Sequence, residues 1–196
     1  VYRNNLDGTF TEATAVMGLA STTAVSDAAF GDFDGDGRID LVVSTERGPA
    51  VFHNGGMQGF SDATASSGIT GSAGAVAIAA GDYDNDGSLD LFVASANGAA
   101  LWRNAGNGTF TPDSRSAAAL QPLQSVAGRA AEFVDYDNDG WLDLIATGVP
   151  NAGGSSGVVV LRNDRTGTFQ NRSAVVPPQV GLGGATALAI TDVDED

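Results

Sequence analysis

The sequence contains no cysteine and no lysine, and its one histidine is His53. Without cysteine there is neither a disulfide framework nor a thiolate metal site, so the redox compartment stays open. A lone histidine removes the usual zinc ligand sets. Nine basic residues, all arginine, stand against 24 acidic ones, giving a net charge of −15. That balance excludes a nucleic-acid partner, which needs a basic face. No apolar run approaches the ~20 residues of a membrane-spanning helix, and nothing at Val1 reads as a signal peptide. Also missing are a Ser-His-Asp set, a phosphate loop and a thiol nucleophile, and Glu132 has no evident acid–base partner. What remains is a 196-residue chain long enough to bury a core.

Its acidity is concentrated. GDFDGDGRIDLVV places Asp32, Asp34, Asp36 and Asp40 within nine residues. GDYDNDGSLDLFV repeats the spacing with Asp82, Asp84, Asp86 and Asp90, and VDYDNDGWLDLIA with Asp135, Asp137, Asp139 and Asp143. A fourth copy, TDVDED, carries Asp192, Asp194 and Asp196 but lacks the glycine and the last aspartate. These stretches hold 16 of the 24 acidic residues, which a surface acidified for solubility would not produce.

The spacing D-x-D-x-D-G-x-x-D has a chemical reading. A hard cation such as Ca²⁺ takes about six to eight oxygens at roughly 2.3–2.6 Å. Carboxylates at loop positions 1, 3, 5 and 9, with a backbone carbonyl at 7, can wrap one ion. A glycine at position 6 (Gly37, Gly87, Gly140) permits the sharp turn. Mg²⁺ keeps its waters and fits less well. An EF-hand would need Glu at position 12, where Val43, Val93 and Ala146 stand instead. After each loop come IDLVVS, LDLFVAS and LDLIATG, short apolar runs that read as strands buried on both faces. Solvated acidic turns would account for one such copy, not three intact ones.

A second repeat interleaves with the first. VYRNNLDGTF, VFHNGGMQGF, LWRNAGNGTF and VLRNDRTGTF end at Phe10, Phe60, Phe110 and Phe169. Asp7-Gly8 and Asn107-Gly108 are hairpin signals requiring φ > 0, so each copy reads as strand, tight turn, strand. Small-residue stretches precede the loops. One unit is therefore strand A, calcium loop, strand B, loop, strand C, turn, strand D, recurring every 50, 53 and 57 residues. Four strands at this period predict an all-β propeller built of four-stranded antiparallel blades. The divisions are the end of one blade over 1–13, blades over 24–62, 74–113 and 127–172, and the start of another over 185–196. Alanine-rich A strands suit the crowded axis, while Trp102, Phe110 and Phe169 suit the wider space between blades. The expected A strand after the last full blade lacks a B strand through which to join residues 1–4. The chain is thus expected to form an arc completed by further blades from the same or another chain.

These residues resemble the FG-GAP and VCBS repeats of integrin-α-like β-propellers. LWRNAGNGTFTPDS and VYRNNLDGTFTEAT look like bacterial secreted VCBS proteins of the ASPIC/UnbV type. The resemblance implies a propeller of about seven blades, Ca²⁺ in the A–B loops, and an extracellular, cell-surface or periplasmic setting. It carries ligand roles onto the twelve loop aspartates, with position-7 carbonyls from Arg38, Ser88 and Trp141. Three firm Ca²⁺ sites follow, with an incomplete fourth at Asp192, Asp194 and Asp196.

The function this implies is a binding, adhesion or assembly scaffold in which calcium is structural. The alternatives are part of an extracellular polysaccharide lyase or dehydratase, or a repeat unit of a surface filament. An enzyme would converge His, Tyr, Arg or Lys at the axis, which one His, three Tyr and no Lys do not favour. A protein or carbohydrate ligand is expected on the face opposite the calcium loops, where Ser44–Pro49, Asp113–Gly128, Thr147–Gly157 and Ser173–Gly184 lie, with Arg47 and Arg115 as polar contacts. His53 stands where other copies have Arg3, Arg103 and Arg162, and reads as a structural substitute. Asp27 and Glu132 are expected to face the central channel. Asn107 and Asn171 are formal glycosylation acceptors, Asn107 being better explained by its place in the turn.

Overall fold

The computed structural model describes residues 1–19, 24–71, 74–95, 98–124, 126–150, 157–175 and 187–190. Three four-stranded antiparallel sheets dominate, each with strands in sequence order. The first joins β3 (Val25–Gly31), β4 (Asp40–Thr45), β5 (Gly48–Asn54) and β6 (Phe60–Asp62). The second joins β7 (Ala75–Gly81), β8 (Asp90–Ser95), β9 (Gly98–Asn104) and β10 (Phe110–Asp113). The third joins β11 (Val126–Val134), β12 (Asp143–Pro150), β13 (Val158–Asn163) and β14 (Phe169–Asn171). A two-stranded sheet of β1 (Tyr2–Asn4) and β2 (Phe10–Glu12) precedes them. Each four-stranded sheet is one blade of a propeller fold. Of the stretch expected to begin another blade, Ala187–Ile190 lie outside any strand and the rest lies outside the described residues.

Period-two alternation on the second strand of each blade explains how the blades stack. Leu41 and Val43 of β4 face one way, into a cluster with Leu19 and Phe52. Val42 faces the other way and meets Leu91 and Val93 of β8. Phe92 and Ala94 of β8 then meet Leu144 and Ala146 of β12. Every residue of β4 and β8 is thus buried on one face or the other, as a continuous apolar run requires. The inner strands β3, β7 and β11 lie side by side. Their alanines keep that contact close, and Trp102, Phe110 and Phe169 fill the space between blades.

Each inner strand bulges near its start, where register shifts at Val25/Ala28, Ala75/Ala77 and Gly128/Ala130. In β3 the bulge gives Asp27 a structural task. Its amide donates to Ser44 Oγ at 2.7 Å, and its carboxylate accepts the amide of Ile78 in the next blade at 2.9 Å. Asp27 is therefore a tie between the inner strands of two neighbouring blades.

The aromatic between blades carries much of this packing. Phe110 is 2% exposed and meets Phe33 edge-on, with ring centroids 5.9 Å apart. Phe110→Ala should cost about 3–5 kcal/mol by urea denaturation. Phe10→Ala, at the equivalent but 62% exposed position, should stay within about 0.5 kcal/mol.

Candidate metal centres

Each A–B loop is shaped by two left-handed residues. Position 4 is Gly35, Asn85 or Asn138 (φ 74°, 54° and 55°), and position 6 is Gly37, Gly87 or Gly140 (φ 82°, 91° and 85°). Glycine and asparagine tolerate this region. The turn aims the amides of positions 5 and 6 at the position-1 carboxylate. Asp82 accepts them at 3.0 and 2.9 Å, Asp135 at 2.9 and 2.8 Å, and Asp32 at 3.1 and 2.8 Å. The amides of Arg38, Ser88 and Trp141 donate to Asp36, Asp86 and Asp139.

Position 9 is the deepest. Asp40, Asp90 and Asp143 are each no more than 2% exposed. One oxygen accepts the amide of the asparagine that ends strand C: Asn54 at 2.8 Å, Asn104 at 2.8 Å and Asn163 at 2.7 Å. The second oxygen accepts the amide of Phe33 on Asp40 and of Tyr136 on Asp143, but on Asp90 it is buried without a hydrogen-bond partner. Burial first, and then the charges of Asp84, Asp86 and Asp82, push the Asp90 carboxyl up to about 7. Asp143 is raised for the same leading reason.

Oxygens of Asp32, Asp34 and Asp40 come within 4.8 Å of one another, as do those of Asp82, Asp84 and Asp86 and those of Asp135, Asp137 and Asp143. Asp34 and Asp36 form a further such group with a ring nitrogen of His53. An all-oxygen set with an orphaned, buried carboxylate oxygen fits a hard divalent cation. Asp192, Asp194 and Asp196 lie outside the described residues.

Fixed cations already surround these groups. Arg103 reaches Asp84 at 2.6 Å and Asp86 at 2.8 Å, and Arg162 reaches Asp137 at 2.6 Å and Asp139 at 3.0 Å. His53 occupies the same place on its strand, with Nδ1 2.7 Å from Asp34 and 3.4 Å from Asp40. It substitutes for the arginine, as its alignment predicted. Arg38 pairs with Asp36, and Arg165 lies 2.9 Å from Asp139, holding that carboxyl below the usual range.

Three readings of the sequence change here. Arg115 does not belong to the opposite face: it pairs with Asp113 at 2.6 Å, lies 3.3 Å from Asp84 and donates to the carbonyl of Thr166. The cause is Asp113, which holds both the guanidinium and the hydroxyl of Tyr83 at the second aspartate loop. Ser44–Pro49 is no long loop, since β4 runs to Thr45 and β5 resumes at Gly48, leaving Glu46 and Arg47 between them. At the C–D turn, Gly106 and Gly108 have positive φ and Asn107 does not. Asn107 instead accepts the amide of Thr109 through its side chain.

The model of a family described as FG-GAP-like repeat matches residues 1–43, 32–93, 82–146 and 135–196. The chain belongs to the FG-GAP-like repeat family. Three of its four matched repeats start on the first aspartate of a complete loop, so each frames one loop at either end. Among solved structures, it is similar to a lectin of Agrocybe aegerita whose title describes specific recognition of non-reducing terminal N-acetylglucosamine. That match has 23% identity and a TM-score of 0.51, and covers 86% of this chain and 44% of the lectin. The chain thus spans less than half the lectin's length, and the likeness shows the fold. No curated protein matches.

In these FG-GAP-like repeats the asparagine before the C–D turn does more than its place in the sequence announced. Asn104 donates to the carbonyl of Leu89 in its own loop at 2.9 Å and to that of Phe33 in the preceding loop at 2.7 Å. Asn163 does the same with Leu142 and Tyr83. The signal was present, since an asparagine stands at 4, 54, 104 and 163. The aromatic at loop position 2 was likewise legible: Phe33 and Tyr83 point into the core, against Phe110 and Phe169. Asn104→Ala takes the side-chain donor from the carbonyl of Leu89 and leaves that of Phe33 with the amide of Gly108, and should cost about 1–2 kcal/mol, read as a lower urea midpoint.

Proposed function

We propose that this protein is a calcium-holding binding scaffold in an extracellular, cell-surface or periplasmic setting. The observation that carries the reading is the second loop, where oxygens of Asp82, Asp84 and Asp86 gather within 4.8 Å and where Asp84 and Asp90 each bury an oxygen without a hydrogen-bond partner. An oxygen-only set of this size favours Ca²⁺ over Mg²⁺, and millimolar extracellular calcium would fill weak sites. Bound there, the ion supplies charge neutralisation and ties strand A to strand B. The position-7 carbonyls of Arg38, Ser88 and Trp141 complete the ligand set in this reading, with one ion to each of the three loops.

Binding rather than catalysis is supported by how the polar side chains are used. Arg38, Arg103, Arg115, Arg162, Arg165 and His53 are all engaged with loop carboxylates. A protein or carbohydrate ligand on the opposite face fits a rigid scaffold with its metal face occupied, and the lectin is an example of this fold in recognition. Arg47 is the candidate polar contact there.

Excess EDTA should lower the melting temperature, and Ca²⁺ should restore it more completely than Mg²⁺ at equal concentration. An unchanged melting curve in chelator would overturn the calcium reading.

A further inference from the structure

Two junctions between blades, both beside an aspartate loop, are framed alike and filled differently. Between the second and third blades, the hydroxyl of Tyr83 donates to Asp113 at 2.7 Å, and Asp113 holds the guanidinium of Arg115 at 2.6 Å. That guanidinium also lies 3.3 Å from Asp84 and donates to the carbonyl of Thr166, in the C–D turn of the third blade. Two carboxylates and one carbonyl, from three segments of chain, hold a single cation there.

Between the first and second blades the same frame returns. Phe33 stands where Tyr83 does, and Asp34 where Asp84 does. Asn107 is third after Asn104, as Thr166 is third after Asn163, and these two asparagines clasp the carbonyls of Phe33 and Tyr83 in the same way. The filling is missing. Phe33 has no hydroxyl. Ala63 donates its amide to Val51, whose register matches that of Leu101, the partner of Asp113. Thr64 follows it, with a side chain too short to cross the gap and a hydroxyl that accepts the amide of Val51. What is left is a cleft of about 380 Å³. Phe33, Val51 and Ala63 give it an apolar side, and Asp34, Asp62 and Asn107 a polar one.

We propose that this cleft binds a ligand bearing a guanidinium group on an apolar stem. The molecule supplies the precedent itself, since the equivalent junction one blade later is closed by the guanidinium of Arg115. The stem lies along the apolar side, and the planar head takes Asp34, Asp62 and the carbonyl of Asn107 as acceptors. Five donors in one plane serve several acceptors at once, where an ammonium is a point charge. His53 beside Asp34 does not block the site, because Arg103 holds the same place beside Asp84 with Arg115 already bound there. The inference is separate from the calcium reading, which the melting experiment in chelator tests on its own.

Calorimetric titration with argininamide in Ca²⁺-containing buffer tests this. One saturable site per chain is expected. Citrullinamide, with a neutral urea in place of the guanidinium, should bind roughly tenfold more weakly or not at all, and lysinamide should also bind more weakly. Asp62→Asn keeps an acceptor for the amide of Thr64 and should weaken argininamide about two- to fivefold, as an exposed charge does. Ser66→Arg, at the edge of the cleft, should fill it and abolish binding; circular dichroism checks the sheet content of both variants, and Asp62→Asn keeps the test open if the other misfolds. No saturable binding, equal affinity for citrullinamide or lysinamide, or binding that survives Ser66→Arg in a folded protein would overturn the proposal.

Discussion

Like charges forced together at the start of strand B are the constraint around which each blade is arranged. Position 9 is both the first residue of that strand and the most buried carboxylate of the loop. It cannot move outward without drawing the strand out of the core. The turn glycines, the inward amides, the asparagine ending strand C and the surrounding arginines all act on that one difficulty. They offset the repulsion in part, and the orphaned oxygen of Asp90 marks where they stop short.

The absence of lysine has a physical account at this site. Arg103 spans Asp84 and Asp86, and Arg162 spans Asp137 and Asp139, each with two different nitrogens of one guanidinium. A planar fork can serve two carboxylates held at fixed separation, whereas an ammonium acts as a point charge. The constraint covers only the arginines at the loops, but these are the ones the fold brings together.

What could be read from the sequence followed from repetition. Three intact copies of the aspartate spacing identified the loops, and the alternation of LVV, LFV and LIA identified strands with two buried faces. The propeller blades followed from the period. What could not be read depends on contacts between repeats. Asp27 ties its blade to the next through the amide of Ile78, a partner 51 residues along the chain. Arg115 was misplaced because chain position says where a residue is rooted, not how far a long side chain reaches, and here it crosses to Thr166 in the next blade. Asn107 was given the wrong backbone role because Asn-Gly reads as a two-residue turn. The connection spans five residues and is closed by the amide of Ala105 on the carbonyl of Thr109.

The asparagine bonds also bear on how such a chain comes into being. Asn104 meets Phe33 across 71 residues of sequence, and Asn163 meets Tyr83 across 80. During synthesis from the amino end, each loop is therefore complete in its own aspartates well before the asparagine that crosses to it has been made. A nascent blade passes through an interval in which its carboxylates are assembled but its neighbour's clasp is not. The order of translation thus gives the first two loops an interval before the following blade's asparagine reaches them.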